Sequence, residues 1–323
     1  MTAEHLDRMR VMLEGQEGHS YPDLLRVACT SEKLGFGGMF RSDHWLPIMG
    51  ERHIDATDAW ATLAGLARET SRIRIGPLVS PMTFRHPSEL ARQAATIDQM
   101  SGGRLEVGFG AGWYEGEHAA YGMPFPPLKE RFDRLEESLE VCTRLWGSAD
   151  SATFAGRYFS LDNAPGRPKP VQRPMPVIIG GHGPKRTPDL TARFAAEYNT
   201  GSSVTEWKER RTRVVAACER IGRDPSSIVY SWMTATVVGL TEADAWTEAE
   251  RRFRHARRSG DVRAWVAEQR LGGMLFGSAE QAAEQLGNAL AAGATRWYLQ
   301  IVPSPSDELL EMIATEIAPR VRG

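Results

Sequence analysis

Short apolar runs alternate along the chain with longer segments whose apolar residues recur at helical spacing. A run of apolar residues without polar alternation is typical of a parallel strand that is buried on both faces. The strands predicted in this way cover residues 10–13, 38–40, 73–79, 104–109, 176–179, 197–200, 228–238 and 296–301. Strands separated by helices, with no strong linker, predict one α/β domain over residues 1–323. A (β/α)8 TIM barrel is the preferred fold, and a doubly wound open sheet is the alternative.

Helix signals support this alternation. Ser20 is a suitable N-cap, Pro22 suits a first turn, Asp23 favours the positive helix end, and Gly35 can end the helix in a left-handed conformation. Further helices are predicted over residues 58–69, 130–146, 207–221, 241–270, 279–292 and 307–321. The segment 241–270 is longer than a crossover needs, so it either covers a pocket as a lid or pads the barrel.

Charge and cysteine content narrow the function classes. The formal net charge of −2 gives no strong field to gather nucleic acid or an anionic membrane. The arginines from Arg251 to Arg258 follow acidic residues on a helix, and a solvated face is expected there. Cys29, Cys142 and Cys218 lack metal spacing and are predicted to be small buried residues in a reducing cytosol. With no signal core or membrane-length apolar segment, we expect a cytoplasmic protein that acts on a small molecule.

Polar residues follow the second and third predicted strands, at the rim where barrel enzymes hold their active sites. After strand two, His44 beside Trp45 can donate a hydrogen bond or move a proton near neutral pH, and Asp43 can orient a partner. A structural Asp-His pair at the start of a loop is the open alternative. After strand three, Arg85 and His86 can contact an anion, but ordinary chemistry at a helix start is favoured.

A glycine-rich turn, residues 108–113 (GFGAGW), ends strand four. Its spacing differs from the dinucleotide-binding fingerprint, because the third glycine comes one residue early. Alternate glycines still permit close approach of the backbone to a flat ligand. Glu115, Glu117 and His118 follow as candidates for acid–base chemistry, but we expect a turn with solvated carboxylates at these positions.

A second glycine-rich turn, residues 180–187 (GGHGPKRT), follows strand five. Backbone N–H groups of the turn and of the helix after it can converge on an anion, with Lys185 and Arg186 adjacent. This arrangement suits a phosphate group, although it lacks the lysine–hydroxyl pattern of the Walker loop. A basic surface turn is the alternative.

Together these segments resemble the luciferase-like flavin and deazaflavin oxidoreductases. The resemblance lies in residues 42–44 (SDH), 83–87 (TFRHP), 97–104 (IDQMSGGR), 108–113 (GFGAGW), 130–137 (ERFDRLEE) and 179–183 (IGGHG). No single segment is decisive, but their order and spacing are specific and span nearly the whole chain. The resemblance implies an insertion-bearing barrel, usually a homodimer, with an isoalloxazine or deazaflavin ring across the C-terminal strand ends.

Carried over by position, the resemblance assigns roles to individual residues. His44 would face the ring or the substrate as a hydrogen-bond or proton partner. Leu78 and Val79 would form a bulge in strand three that backs the ring, often with a non-proline cis peptide in this family. The turn after strand five would bind the cofactor's phosphate. The implied cofactor contacts are Asp43, Leu78, Val79, Ser80, Gly110, Ala111, Gly112, Gly180, Gly181, His182, Gly183, Lys185 and Arg186.

The motifs are most similar to those of the coenzyme F420 branch of the family. The sugar-phosphate dehydrogenases of that branch carry a carboxylate directly after the glycine run, whereas this chain has Trp113 there. We therefore expect F420-dependent hydride transfer involving a different organic substrate, with reduction of a C=C, C=N or C=O bond. Trp45, Trp113 and Tyr114 would shape an apolar pocket, with core packing as the alternative for each.

Other functions remain open from the sequence. An FMN-dependent monooxygenase that uses O₂ is the alternative within the family. A hydrolase or lyase on the same barrel would need a metal cluster, a nucleophile–base pair or a Schiff-base lysine. The sequence contains no His-x-His pair and no Gly-x-Ser-x-Gly elbow, so no metal site is predicted. A cofactor-binding protein without catalysis is the third alternative.

Overall fold

Parallel strands and surrounding helices make up the computed structural model, which describes residues 2–322. The strands are β1 (Met9–Leu13), β2 (Gly38–Arg41), β3 (Arg74–Pro77), β4 (Ser80–Pro81), β5 (Val107–Gly110), β6 (Ser151–Ala155), β7 (Ser160–Pro165), β8 (Val177–Gly180), β9 (Glu197–Gly201), β10 (Val229–Gly239), β11 (Leu275–Ser278) and β12 (Arg296–Gln300). The helices are α1 (Thr2–Arg8), α2 (Tyr21–Leu34), α3 (Ala59–Glu69), α4 (Pro87–Ser101), α5 (Glu115–Ala120), α6 (Leu128–Trp146), α7 (Arg186–Phe194), α8 (Val204–Arg220), α9 (Glu242–His255), α10 (Val262–Leu271), α11 (Ala279–Ala291) and α12 (Asp307–Met312).

The main sheet closes on itself. Its strand order is β3-β2-β1-β12-β10-β9-β8-β5-β4, and the pairs along this path are parallel. Because β3 and β4 are consecutive in the chain but lie at opposite ends of this order, the sheet forms a cylinder. A parallel bridge between Ile75 and Leu105 also joins β3 to the segment before β5. With β3 and β4 counted as one, the path has the eight strands of a TIM barrel, which confirms the predicted fold over the open sheet.

Apolar side chains lie on both faces of the barrel strands. One layer fills the inside of the barrel with Met12, Phe40, Leu78, Ile178 and Tyr298. A larger layer lies between the outer faces of the strands and the helices. Since a strand of this barrel buries both faces, its apolar residues run without polar alternation, which is the pattern seen in the sequence.

The first crossover helix has the predicted caps. The side chain of Ser20 accepts a hydrogen bond from the backbone N–H of Asp23, whose carboxylate accepts one from the backbone N–H of Ser20 at 3.0 Å. Gly35 ends α2 in a left-handed conformation with φ 97°. The N-cap at Ser20 fixes the start of α2 and therefore the length of the loop that joins α2 to β1.

Several observed elements differ from the predicted ones at points where the backbone interrupts an apolar run. The strand predicted over residues 73–79 is divided into β3 and β4. The helix predicted over residues 241–270 is two helices, α9 and α10, separated by Arg257 with φ 50° and Gly260 with φ 102°. The last helix passes from α12 into a π-helical turn (Ile313–Ile317) and a 3-10 turn (Ala318–Arg320). The apolar pattern of the sequence does not reveal α1, α5 or β11.

The predicted exposure is wrong for Cys29 and Arg252. Cys29 is exposed, whereas Cys142 and Cys218 are buried as expected. Arg252, which the charge pattern places on a solvated helix face, is only 5% exposed. Its guanidinium lies 3.4 Å from both the backbone oxygen and the side-chain oxygen of Gln300. Among the described residues, no helix combines the length and apolarity that a membrane crossing requires.

Candidate active site

The loops after β2 and β5 bring His44 and Glu117 together at the C-terminal rim of the barrel. The Nδ1 of His44 is 2.9 Å from one carboxylate oxygen of Glu117. The other oxygen accepts a hydrogen bond from the backbone N–H of Trp45 at 3.0 Å. Glu117 is only 1% exposed, so the expectation of a solvated carboxylate is wrong at this position. The exposed Glu115 fits that expectation.

The carboxylate of Glu117 controls the charge of His44. Burial alone opposes protonation of the ring, but the hydrogen bond with Glu117 and the Coulombic attraction of the same group outweigh it and raise the pKa of His44. With Nδ1 bonded to Glu117, and no hydrogen-bond partner for Nε2 among residues 2–322, Nε2 is available to a ligand. The raised pKa favours the imidazolium form of His44, in which Nε2 also carries a proton that it can donate.

Asp43 and Ser80 join the ends of β2 and β4. The Oγ of Ser80 donates to Asp43 at 2.7 Å, and Arg85 makes a two-point ion pair with the same carboxylate at 2.6 and 3.1 Å. Both oxygens of the buried Asp43 are thus engaged. His86 caps α4 by accepting from the N–H of Ser88. The structure therefore agrees with ordinary helix-start chemistry for His86. Arg85 instead forms ion pairs with Asp43 and with Asp58 at 3.0 Å, and Asp43 has structural partners.

Val79 occupies space inside the barrel that neighbouring glycines leave free. The peptide bond between Leu78 and Val79 is cis, as the resemblance implies. A Cβ built on Gly110 would lie 2.7 Å from a methyl group of Val79, and one built on Gly180 would lie 2.8 Å away. Packing against Val79 therefore requires glycine at the ends of β5 and β8, independently of any ligand. Ala111, which follows β5, is half-buried.

The glycine turn after β8 passes closely over the start of α7. Gly181 has φ 142°, and a Cβ built on Gly183 would lie 2.9 Å from the Oγ1 of Thr187. Side chains are excluded at these positions, so the turn offers main-chain surface next to a helix N-terminus. Such a cradle is suited to an anionic group. His182 and Lys185 are exposed on the same turn.

Arg186, the other basic residue of this turn, is committed to neighbouring carboxylates. Its guanidinium pairs with Asp133 and Glu136, and it donates to the backbone oxygen of Phe132 at 3.2 Å. All three partners lie on α6, so Arg186 fastens α7 to α6. The structure brings Lys185 to the candidate phosphate site without such a partner among the described residues, but it gives Arg186 a structural task.

The three aromatic residues predicted to form a pocket lie in two groups. Trp113 and Tyr114 stack on each other, with ring centroids 5.4 Å apart, and the ring of Trp113 is 5.6 Å from that of His44. Trp45 packs instead against Phe84, with ring centroids 5.0 Å apart. Trp45 therefore contributes to packing between rim loops, whereas Trp113 and Tyr114 border His44.

His118, for which we expected a solvated position, bridges two rim loops. Its Nδ1 is 2.8 Å from the backbone oxygen of Tyr114, and its Nε2 is 2.7 Å from the Oγ1 of Thr83. The ring is fully buried. On the other side of this turn, Arg131 donates to the backbone oxygen of Gly112. The turn after β5 is thus held at both of its ends.

A chain of buried polar side chains, which the motifs do not identify, follows the rim from β2 to β12. Ser42 donates to Gln16 at 2.5 Å, and the Gln16 amide donates to Glu14 at 2.9 Å. The amide of Gln300 donates to the other oxygen of Glu14 at 2.5 Å, and Arg252 reaches Gln300 from α9. The available sequence signal was Glu14, a charged residue directly after the apolar first strand.

The C-terminal rim of this closed parallel barrel carries a histidine–carboxylate pair and a glycine turn. This arrangement is typical of TIM-barrel enzymes. The sequence profile of the luciferase-like monooxygenases matches residues 4–297, so the chain belongs to that family.

Two solved structures show the same fold over nearly the whole chain. The coenzyme F420-dependent tetrahydromethanopterin reductase from Methanopyrus kandleri superimposes with a TM-score of 0.81 at 19% identity, covering 98% of this chain and 99% of that one. An F420-dependent secondary alcohol dehydrogenase in complex with an F420–acetone adduct gives a TM-score of 0.84 at 22% identity, with coverage of 98% and 99%.

Relatives of higher identity match over a shorter length. The F420-dependent glucose-6-phosphate dehydrogenase of Amycolatopsis mediterranei (strain U-32) is 35% identical over 189 residues, which are 58% of this chain and 54% of that protein. The pyrimidine monooxygenase RutA of Klebsiella pneumoniae (strain 342) is 32% identical over 246 residues, or 73% of this chain and 61% of that protein. The chain thus spans about half the length of the F420-dependent relatives it matches.

Proposed function

We propose that this protein is an F420-dependent oxidoreductase that transfers a hydride between the deazaflavin and a small organic substrate. The observation that carries the proposal is the pairing of His44 with a buried Glu117, which keeps a proton available at the barrel rim. The glycine turn of residues 180–187 lies on the same rim and suits a phosphorylated cofactor. Similarity to F420-dependent dehydrogenases supports the choice of deazaflavin.

The residues at the rim fit a phosphorylated ring cofactor. Gly183 can approach Thr187 only because it lacks a side chain, and Lys185 stands exposed at the start of α7. We propose that this turn and Lys185 would hold the phosphate, and that Val79 and Gly110 would contact the ring. The other contacts proposed for the cofactor are Leu78, Ala111, Gly112, Gly180, Gly181 and His182.

When it is bound, a reduced deazaflavin supplies the hydride. The task of His44 is to give the proton from Nε2 to the substrate atom that does not receive the hydride. Glu117 stabilises the imidazolium and holds the ring through Nδ1. The substrate's double bond thereby gains one hydride and one proton, and His44 is left neutral until solvent reprotonates it.

An FMN-dependent monooxygenase is the second candidate function. The observation that favours it is the match to pyrimidine monooxygenase RutA, which covers 73% of this chain. The two candidates differ in cofactor and in their need for O₂, so binding and oxygen uptake distinguish them.

Titration of the apoprotein with F420 and FMN side by side tests the cofactor, and His44→Asn tests the histidine. We expect F420 to bind more tightly than FMN. The variant should bind F420 like the wild type but lose about 10²–10⁴-fold in turnover, the usual contribution of a general acid. His86→Asn, which alters an exposed helix cap, is the matched control and should keep wild-type turnover. Tight FMN binding with oxygen uptake would favour the monooxygenase, and failure of both cofactors would overturn the proposal.

We also propose that residues 1–323 form one domain, that two chains form a homodimer, and that the protein works in the cytosol. The three cysteines are free, which suits a reducing compartment. Light scattering of the purified protein should give twice the protomer mass. A monomeric mass would contradict the homodimer.

A further inference from the structure

Trp113 exposes a large aromatic surface at the candidate site. The side chain is 62% exposed, although it lies next to a buried histidine–carboxylate pair. Burial of an aromatic ring is favourable, so an exposed indole next to a buried histidine–carboxylate pair is a candidate contact for a ligand.

The neighbours of Trp113 hold the indole in place. Arg131 donates to the backbone oxygen of Gly112, and the Nδ1 of His118 lies 2.8 Å from the backbone oxygen of Tyr114. The ring of Tyr114 stacks on the indole at a centroid distance of 5.4 Å, with 23° between the ring planes. Because the residues before and after Trp113 are both fixed, the indole is a preorganised surface, which lowers the entropy cost of binding.

The indole also borders the group that would give the proton. The ring centroids of Trp113 and His44 are 5.6 Å apart, with 77° between the planes. Stacked aromatic rings have their centroids about 4.5–7 Å apart. A flat group lying on Trp113 can therefore place an attached double bond beside His44.

We propose that Trp113 is the binding platform for a planar, uncharged part of the substrate, such as an aromatic ring conjugated to the C=O, C=N or C=C bond that is reduced. This inference rests on the proposed function, since it takes His44 as the proton donor. It names a substrate class, flat conjugated compounds.

Binding of two ketones with the same reacting group tests the platform. The probes are 2-acetonaphthone, which is flat, and cyclohexyl methyl ketone, which is not. Calorimetric titrations use wild type, Trp113→Phe and Trp113→Leu, each with and without oxidised F420 so that no turnover occurs. We expect the wild type to prefer the naphthyl ketone. The preference should persist in Trp113→Phe and fall about tenfold in Trp113→Leu, which stays apolar but loses the flat face. Leu271→Ala changes an exposed apolar residue on α10 and should behave like the wild type.

Several outcomes would overturn the platform. These are equal affinity of the wild type for both ketones, no binding of either, or an undiminished preference in Trp113→Leu. Conversion of a dimer to a monomer in Trp113→Leu, measured by light scattering, would also overturn it, because the indole would then belong to an interface between copies. If F420 fails to bind while the naphthyl preference persists, the proposed function fails, and only the binding of a flat group to Trp113 stands.

Discussion

Glu117 shows how one buried side chain sets the chemistry of another that is 73 positions away. Its carboxylate lies on a six-residue helix, α5, and accepts hydrogen bonds from His44 and from the backbone of Trp45. A carboxylate held in this way costs desolvation unless a cation pairs with it. When it is protonated, His44 supplies that cation, and the two residues then stabilise each other's charge.

Glu117→Gln should lower the pKa of His44, because the amide keeps the shape of the side chain and removes its charge. If His44 gives the proton, the alkaline limb of the pH profile of kcat/KM for reduction should move to lower pH, by about one unit for each 1.4 kcal/mol of lost interaction. Glu115→Gln, an exposed glutamate on the same helix, is the control and should leave the limb in place. An unshifted limb in Glu117→Gln would remove Glu117 from the titration of His44.

The same pair also links folding stability to pH. The pKa of His44 in the folded protein is raised above 6.5, so the contribution of the pair is fully present below pH 6.5. It is lost as the pH rises through the raised folded value. Comparison of urea unfolding between wild type and Glu117→Gln should therefore show a difference that shrinks at alkaline pH.

Only part of the residue-level chemistry could be predicted from the sequence. His44 and both glycine turns stand out because their residue types are unusual at strand ends. The burial of Glu117 and the ion pairs of Arg186 could not be predicted, since each depends on a partner at least 50 positions away. Local sequence also ascribes the glycines at 110 and 180 to ligand approach, whereas packing against Val79 requires them.

At the scale of elements, a single carboxylate joins three segments of the rim. Glu17, in the loop after β1, accepts hydrogen bonds from the backbone N–H groups of Ile48, Met49 and Gly50 at 2.7, 2.8 and 2.7 Å. Its other contact is the Nε2 of His255, at the end of α9, at 3.0 Å. Burial alone would raise the pKa of Glu17, but these hydrogen bonds outweigh it and hold the pKa below its usual value. The inserted helix α9 is thereby fixed to the rim.

Glu17→Ala should loosen this junction. The change leaves three backbone N–H groups without their acceptor, so we expect a loss of about 2–4 kcal/mol of stability. Hydrogen exchange should become faster at residues 48–50. The matched control is Glu51→Ala, which removes an exposed ion pair with Arg257 at 3.3 Å and should cost less than about 1 kcal/mol. Similar costs for the two variants, with unchanged exchange at residues 48–50, would contradict the proposed junction.

Helices and strands are predicted well where burial of one or both faces gives the apolar residues a regular spacing along the chain. The barrel strands and crossover helices have such spacing, and they are predicted from it. The break between α9 and α10 is missed because helical spacing resumes after it, although the sequence carries a signal there: Gly260 has φ 102°, and Asp261 is the N-cap of α10. The four-residue strand β11 and the six-residue helix α5 are too short to show a period.

At the scale of the whole molecule, the end of the barrel opposite the rim is closed by buried charges. Arg296 pairs with Glu106 and Glu197, and Arg74 pairs with Glu106. Burial alone would raise the pKa of Glu106, but Arg296 and Arg10 outweigh it and lower that pKa. Burial raises the pKa of Glu197, which Arg296 opposes only in part. Because these residues begin strands far apart in the chain, the sequence pattern does not reveal that they meet.

Arg296→Met tests how much this cluster contributes to the fold. Methionine keeps much of the volume but leaves two buried carboxylates without their shared cation, so we expect a cost of about 3–5 kcal/mol near neutral pH. Without Arg296, burial should raise the folded pKa of Glu197 further above its ordinary value of 4.5. The folded pKa of Glu106 should rise as well, although Arg74 and Arg10 remain beside it. Groups with raised folded pKa values destabilise the fold as the pH rises through the unfolded value, so the cost should be smallest near about pH 4.

Urea unfolding of wild type and Arg296→Met at acidic and neutral pH measures this dependence. Arg320→Met is the control, because Arg320 pairs with Glu316 on the surface, where the two side chains are 48% and 36% exposed, and its loss should cost less than about 1 kcal/mol at either pH. A cost for Arg296→Met that is the same at both pH values would show that packing, and not charge, stabilises this end of the barrel. A cost that falls with acidification would show instead that the arginine is needed because the two glutamates are ionised.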